Sequence, residues 1–126
     1  MNPKKQILII LIALLVTATA PAQAQAPVLS KEKKALHNPK QYASLAIKEY
    51  GWSKKHYVCL TQLWGKESAW NHKADNPTSS AFGIAQMLNE KSTNPVTQIN
   101  NGLRYIEHRY GNPCAAWKFW QSRYWY

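Results

Sequence analysis

Residues 53–68 read SKKHYVCLTQLWGKES, and the spacing inside this stretch decides how the chain folds. Leu60, Leu63, Trp64 and Glu67 fall at i, i+3, i+4 and i+7, so at about 3.6 residues per turn they share one face of a helix. The stripe is apolar until Glu67, where a carboxylate occupies a place suited to an apolar side chain. Burial disfavours the charged form and raises the pKa, and an acid that stays protonated near neutral pH can protonate a leaving oxygen. Taken alone, Glu67 also fits the solvated last turn of an amphipathic helix. The sequence on either side of it bears on the choice.

Upstream, Asn38 followed by Pro39 has the form of an N-cap and first turn, and Tyr42, Leu45, Ala46 and Tyr50 follow at helical spacing until Gly51. Downstream, AWNHKADNPTSSAFGIAQML (69–88) is rich in Asn, Pro, Ser and Gly and lacks a helical period, so it reads as a long loop or a loop with a short strand pair. Loops of this length in small domains tend to carry function. Asn94-Pro95 repeats the cap-then-proline signal, and Val96, Ile99, Leu103, Ile106 and Tyr110 then step by alternating threes and fours up to Gly111. Ala115 to Gln121 is expected to form a last short helix before Arg123-Tyr124-Trp125-Tyr126. The expected class is therefore mainly α, a small helical domain with a loop or strand pair behind the Glu67 helix.

The chain has 126 residues, enough for one domain. Its first 24 read as a secretory signal peptide: Lys4 and Lys5, an apolar run from Ile7 to Val16, and the cleavage pattern Ala22-Gln23-Ala24. The run is about half the roughly 20 residues a bilayer span requires, so no membrane anchor is expected after cleavage. Residues 25–38 are expected to form a flexible, polar, basic lead-in, and residues 39–126 are the expected folded domain. Export gives the two cysteines an oxidising setting, in which Cys59 and Cys114 are read as one disulfide. The loop so closed is worth about 4 kcal/mol on the chain-entropy scheme. No metal or cofactor is expected, because His37, His56, His72 and His108 show no ligand spacing with one another or with a Cys-x-x-Cys pair.

The net charge is +10, from sixteen basic and six acidic residues. Loss of Lys4 and Lys5 with the signal leaves +8, which points to an anionic partner. The basic residues are scattered, so nucleic acid is disfavoured and an anionic cell-wall surface fits an exported chain better.

Three short elements occur in order: Glu67-Ser68, followed by Trp70-Asn71; Gly83-Ile84-Ala85-Gln86; and Ile99-Asn100-Asn101-Gly102-Leu103-Arg104-Tyr105-Ile106. In this order the chain, from about Tyr42 onward, resembles the lytic transglycosylase domain of the lysozyme-like superfamily, related to goose-type lysozymes. The likeness is nearest to small secreted members with an aromatic tail. Larger members carry a Tyr-Asn-x-Gly stretch near the catalytic Glu, whereas here Ala115-Ala116-Trp117-Lys118 lies in its place.

The resemblance implies cleavage of the β-1,4 bond between N-acetylmuramic acid and N-acetylglucosamine in peptidoglycan strands. Glu67 would be the catalytic acid/base, with Ser68, Gly83, Ile84, Gln86, Tyr105 and Trp117 as substrate-binding candidates. Most glycosidases use a second carboxylate, and the candidates here, Asp75 in the loop and Glu90 beside Lys91 in what reads as a solvated pair, are poor. Each candidate also has a structural reading. Ser68 fits a helix end, Gly83 a turn, Gln86 a loop brace, and most of the six Trp and seven Tyr a core. Gly102, in mid-helix, is expected to allow close approach to the Glu67 helix. Competing functions are a lysozyme-type muramidase, a non-enzymatic wall-binding or aggregation-promoting module, and a cationic membrane-active protein. The chain is expected in the periplasm or outside the cell.

Overall fold

The computed structural model describes Ser30, Lys33, Ala35 and residues 37–126, so the expected signal segment lies outside the described residues. The described residues are mainly α-helical. In chain order the elements are α1 (Pro39–Ala46), a 3₁₀ turn (Ile47–Tyr50), α2 (Lys54–Ser68), β1 (Ala81–Phe82), β2 (Met87–Leu88), α3 (Pro95–Tyr110) and α4 (Pro113–Arg123). The lead-in departs from the expected flexible segment: Ala35 is helical and fully buried in the core, so the packed domain takes in at least this residue before 39.

One device starts three of the helices. Asn38, Asn94 and Asn112 each precede a proline, and their side chains accept from Gln41, Val96 and Ala115 backbone N–H groups at 3.0, 2.8 and 2.9 Å. Each bond satisfies a donor that the first turn leaves open, while the proline occupies a position where its missing N–H costs nothing. The third junction, Asn112-Pro113, sets the start of α4 two residues before the expected Ala115. α2 starts differently: the Ser53 N–H donates to His56 Nδ1 at 3.0 Å.

The core lies between α2, α3 and the loop. Leu60, Leu63, Trp64, Ile84, Ile99, Leu103 and Ile106 are fully buried, each side chain worth roughly 1.5–3 kcal/mol of transfer free energy. α1 differs from its expected face. Tyr42 and Ala46 are buried as expected, but Leu45 is 48% exposed and Ala43 and Ile47 complete the buried face, because the pairs 42/46 and 43/47 lie side by side at i, i+4. Gly102 is where α3 meets α2. A Cβ there would lie 2.6 Å from Trp64 Cζ2 and 2.6 Å from the Ala85 Cβ, so only a glycine lets the helices approach this closely.

α2 and α4 are joined by the Cys59–Cys114 disulfide, with the two Cα atoms 5.0 Å apart. The loop between α2 and α3 contains the strand pair, antiparallel with Ala81 opposite Leu88 and Phe82 opposite Met87. Its four-residue connection is Gly83-Ile84-Ala85-Gln86, the second of the sequence elements. Among the described residues no helix is long and apolar enough to cross a membrane.

Candidate active site

Glu67 sits in the last turn of α2, and the way that helix ends fixes where its side chain lies. Ala69 and Trp70 both take left-handed backbone conformations, at φ 52° and 62°. The Ala69 N–H donates to Gly65 O at 3.1 Å and the Trp70 N–H to Trp64 O at 3.4 Å, satisfying carbonyls that the last turn exposes. This reversal carries the Trp70 ring back onto the helix. Its Nε1 donates to Thr61 O at 3.2 Å, and its ring meets Trp64 edge-on at 5.2 Å. Trp70 is therefore a core residue that pins the helix end.

The Gly83–Gln86 turn forms the facing wall, and three elements hold its backbone. Ser68 Oγ donates to Ile84 O at 2.6 Å, Gln98 Oε1 accepts from the Ile84 N–H at 3.0 Å, and Tyr126 OH donates to Ala85 O at 2.9 Å. Ser68 thus braces α2 against the turn, and no bond joins it to Glu67. Ile84 is fully buried, so its side chain offers no surface to a ligand. Gly83 has φ +78°, and a Cβ there would come within 2.4 Å of the Gln98 side chain. Its freedom from a side chain thus admits Gln98, where close sugar approach was the functional expectation. Gln86 Nε2 donates to Ala74 O at 3.1 Å and Gly83 O at 2.9 Å, which is the loop brace considered for it, while the side chain also lines the Glu67 cleft.

Gln98 is the residue that sequence reasoning missed. It is buried, and its Nε2 donates to His72 O at 2.9 Å and Ser92 O at 2.7 Å while its Oε1 holds Ile84. One amide therefore ties both arms of the loop to α3, satisfying three backbone groups that would otherwise be buried unpaired. The available signal was its place three residues after Pro95 and four before Gly102, on the face that the buried stripe of α3 occupies.

Glu67 opens into a cleft of about 310 Å³ whose lining includes Asn76, Gln86, Tyr124, Trp125 and Tyr126. It is the one side-chain carboxylate among the described residues that line this cleft. The side chain is half-buried, and desolvation raises its pKa above the ordinary 4.5; the Trp120 side chain, a hydrogen-bonding partner, acts in the opposite sense and to a smaller extent. Tyr126 lies beside it. Burial raises this phenol well above its ordinary value, with the negative charge of Glu67 adding to the effect and the hydrogen bond from Trp64 opposing it.

The two other carboxylates weighed for catalysis stand apart from the cleft. Asp75 is exposed and paired through a backbone bridge to Phe82. Glu90 accepts from the Ser92 N–H and from Asn101 Nδ2, both at 2.8 Å, so it braces the entry to α3. Trp117 does not line the cleft either. It stacks on Trp120 at 5.3 Å with the rings 17° from parallel, and so backs the indole that faces Glu67. Tyr105 lies in a neighbouring compartment and touches the cleft indirectly, with its ring 5.6 Å from that of Tyr126. Tyr124 and Tyr126, unlike Tyr105, line the Glu67 cleft.

No protein-family model, no curated protein and no solved structure matches the chain.

Proposed function

We propose that this chain is an exported peptidoglycan lytic transglycosylase in which Glu67 is the sole acid/base. The observation that carries the proposal is the lone, half-buried carboxylate of Glu67 in an open cleft, with its pKa raised by desolvation. A general acid near neutral pH needs that environment, and among the described residues no second side-chain carboxylate lines the cleft for a two-carboxylate scheme.

The chemistry follows from one acid. Protonated Glu67 gives its proton to the glycosidic oxygen as the bond from C1 of the muramoyl sugar breaks, and the sugar's own acetamido oxygen takes up the electron deficit at C1. The muramoyl 6-hydroxyl then attacks C1, the acetamido oxygen leaves, and the Glu67 carboxylate accepts the hydroxyl proton. The product is a 1,6-anhydro sugar. No water is consumed, and Glu67 ends protonated as it began. Tyr124 and Trp125, 77% and 49% exposed at the rim, are surfaces on which sugar rings can stack. The order of the three sequence elements, the positive charge and the disulfide all accord with an exported protein acting on an anionic wall polymer.

Mass spectrometry of soluble products from peptidoglycan treated with the purified protein, beside Glu67→Gln, tests this reading. Anhydro-sugar fragments are expected, falling by at least about 10²-fold in the variant while its thermal transition is retained. Hydrated reducing ends would replace the transglycosylase with a muramidase. An absence of fragments from either protein, with wall binding kept in both, would leave a binding module.

A further inference from the structure

Beside the Glu67 cleft lies a second compartment of about 210 Å³, lined by Ala85, Gln86, Met87, Tyr105, Arg109 and Tyr126 among others. Gln86, Leu88 and Tyr126 line both spaces, so the two are adjoining parts of one groove. Arg109 is the only charged side chain among the described residues lining the second part. Its guanidinium carbon lies 5.8 Å from the Tyr105 ring centre, 5.5 Å from that of Tyr110 and 5.4 Å from that of Trp125. Trp125 in turn lines the Glu67 cleft, so the same aromatic set carries both.

Two features make this arrangement more than a charged rim. Among the described residues no carboxylate pairs with Arg109, although the chain is basic and acids are scarce. Contacts with ring faces use the plane of a guanidinium, whereas its N–H donors point outward along the edge in a fork that matches a carboxylate. The rings therefore hold the cation in place, and apart from its contact with the Tyr110 hydroxyl the donors of the fork are left for a ligand.

We propose that this compartment is a carboxylate-binding subsite, in which Arg109 takes an acidic group carried by the substituent of a sugar adjoining the one at Glu67. The proposal rests on the reading of the Glu67 cleft as a glycan site. It makes the protein selective for strands with free carboxylates over strands in which those groups are amidated. A purely structural Arg109, complementing the carbonyl end of α3 and anchoring Trp125, would be indifferent to ligand charge.

Calorimetric titration of Glu67→Gln, in which the ligand survives uncleaved, against the double variant Glu67→Gln/Arg109→Gln separates these roles. The ligands are four-sugar oligomers in four forms: N-acetylglucosamine alone, muramoyl units with bare lactyl carboxylates, muramoyl units with peptides bearing free carboxylates, and the same peptides as carboxamides. Loss of Arg109 is expected to weaken the carboxylate forms by about tenfold and to leave the carboxamide and plain oligomers unchanged. A loss confined to the lactyl form places the acid on the sugar, and one confined to the peptide form places it on the peptide. Equal weakening of all four, no weakening of any, or no measurable binding would overturn the subsite. Carboxylate discrimination in a protein that releases no fragments would overturn the enzyme reading and keep the subsite.

Discussion

Trp64 Nε1 donates to the phenol oxygen of Tyr126 at 2.8 Å, joining the middle of α2 to a residue 62 positions further along the chain. The same hydroxyl donates to Ala85 O at 2.9 Å. One oxygen therefore connects the helix that carries Glu67, the aromatic tail and the turn that walls the cleft.

Tyr126→Phe tests that connection. The ring contacts with Tyr105 and Tyr110, at 5.6 and 6.2 Å, are retained, but the Trp64 indole N–H and the Ala85 carbonyl lose their shared partner. A buried donor and acceptor left open cost about 1–3 kcal/mol, so urea unfolding should show that loss of stability. An unchanged midpoint would mean that ring packing alone docks the tail.

Gly102→Ala sets two effects against each other. Alanine favours a helix interior by about 1 kcal/mol over glycine. The new Cβ, however, would stand 2.6 Å from both Trp64 Cζ2 and Ala85 Cβ, where neither neighbour is the free end of a flexible side chain. Overpacking of this kind costs about 1–3 kcal/mol, so a net destabilisation is expected. Thermal unfolding that shows a gain would indicate that α2 and α3 are not in close contact at this point.

How much of this could be read in advance depended on whether the signal was local. α2 and α3 announce themselves because their stripes and caps lie within a few residues of one another, and Glu67 stands out because it interrupts such a stripe. The Asn112-Pro113 start of α4 was equally local, and the apolar text after it drew attention away. The bonds that hold the Gly83–Gln86 turn come from Ser68, Gln98 and Tyr126 on three distant elements, and no spacing rule relates them. Trp70 reaches the core through left-handed turns at Ala69 and Trp70 that no glycine marks. Trp117 was read as a site residue because it lies where the resembled family carries Tyr-Asn-x-Gly, and that placement does not say which face of α4 its ring takes.

Removal of the disulfide should cost stability without changing the fold. Cys59 and Cys114 close a loop of 55 residues between α2 and α4, which the chain-entropy scheme values at about 4 kcal/mol. Replacing both with serine is expected to lower the denaturation midpoint by a corresponding amount. Adding reductant to the wild-type protein should reproduce the shift and have no effect on the double variant. A reductant effect of equal size on both would place its cause outside this bond.

The raised pKa of Glu67 makes stability depend on pH in a defined direction. The folded chain binds the Glu67 proton more tightly than the unfolded chain does, because burial opposes the charged form, so stability from this group falls as pH rises from the ordinary 4.5 through the raised folded value. Below that window the carboxyl is neutral in both states and the group contributes nothing. Above it the burial of the charge destabilises the fold in full. Glutamine carries no such charge, so Glu67→Gln should melt close to wild type at acidic pH and at a higher temperature near neutrality, the gap opening across that window. Trp120→Phe removes the hydrogen-bonding group that favours the carboxylate, and the Glu67 carboxyl, followed by NMR titration, should then move further upward. A gap between Glu67→Gln and wild type that closes as pH rises, or a downward move in Trp120→Phe, would mean that attraction to a positive partner outweighs desolvation at this carboxylate.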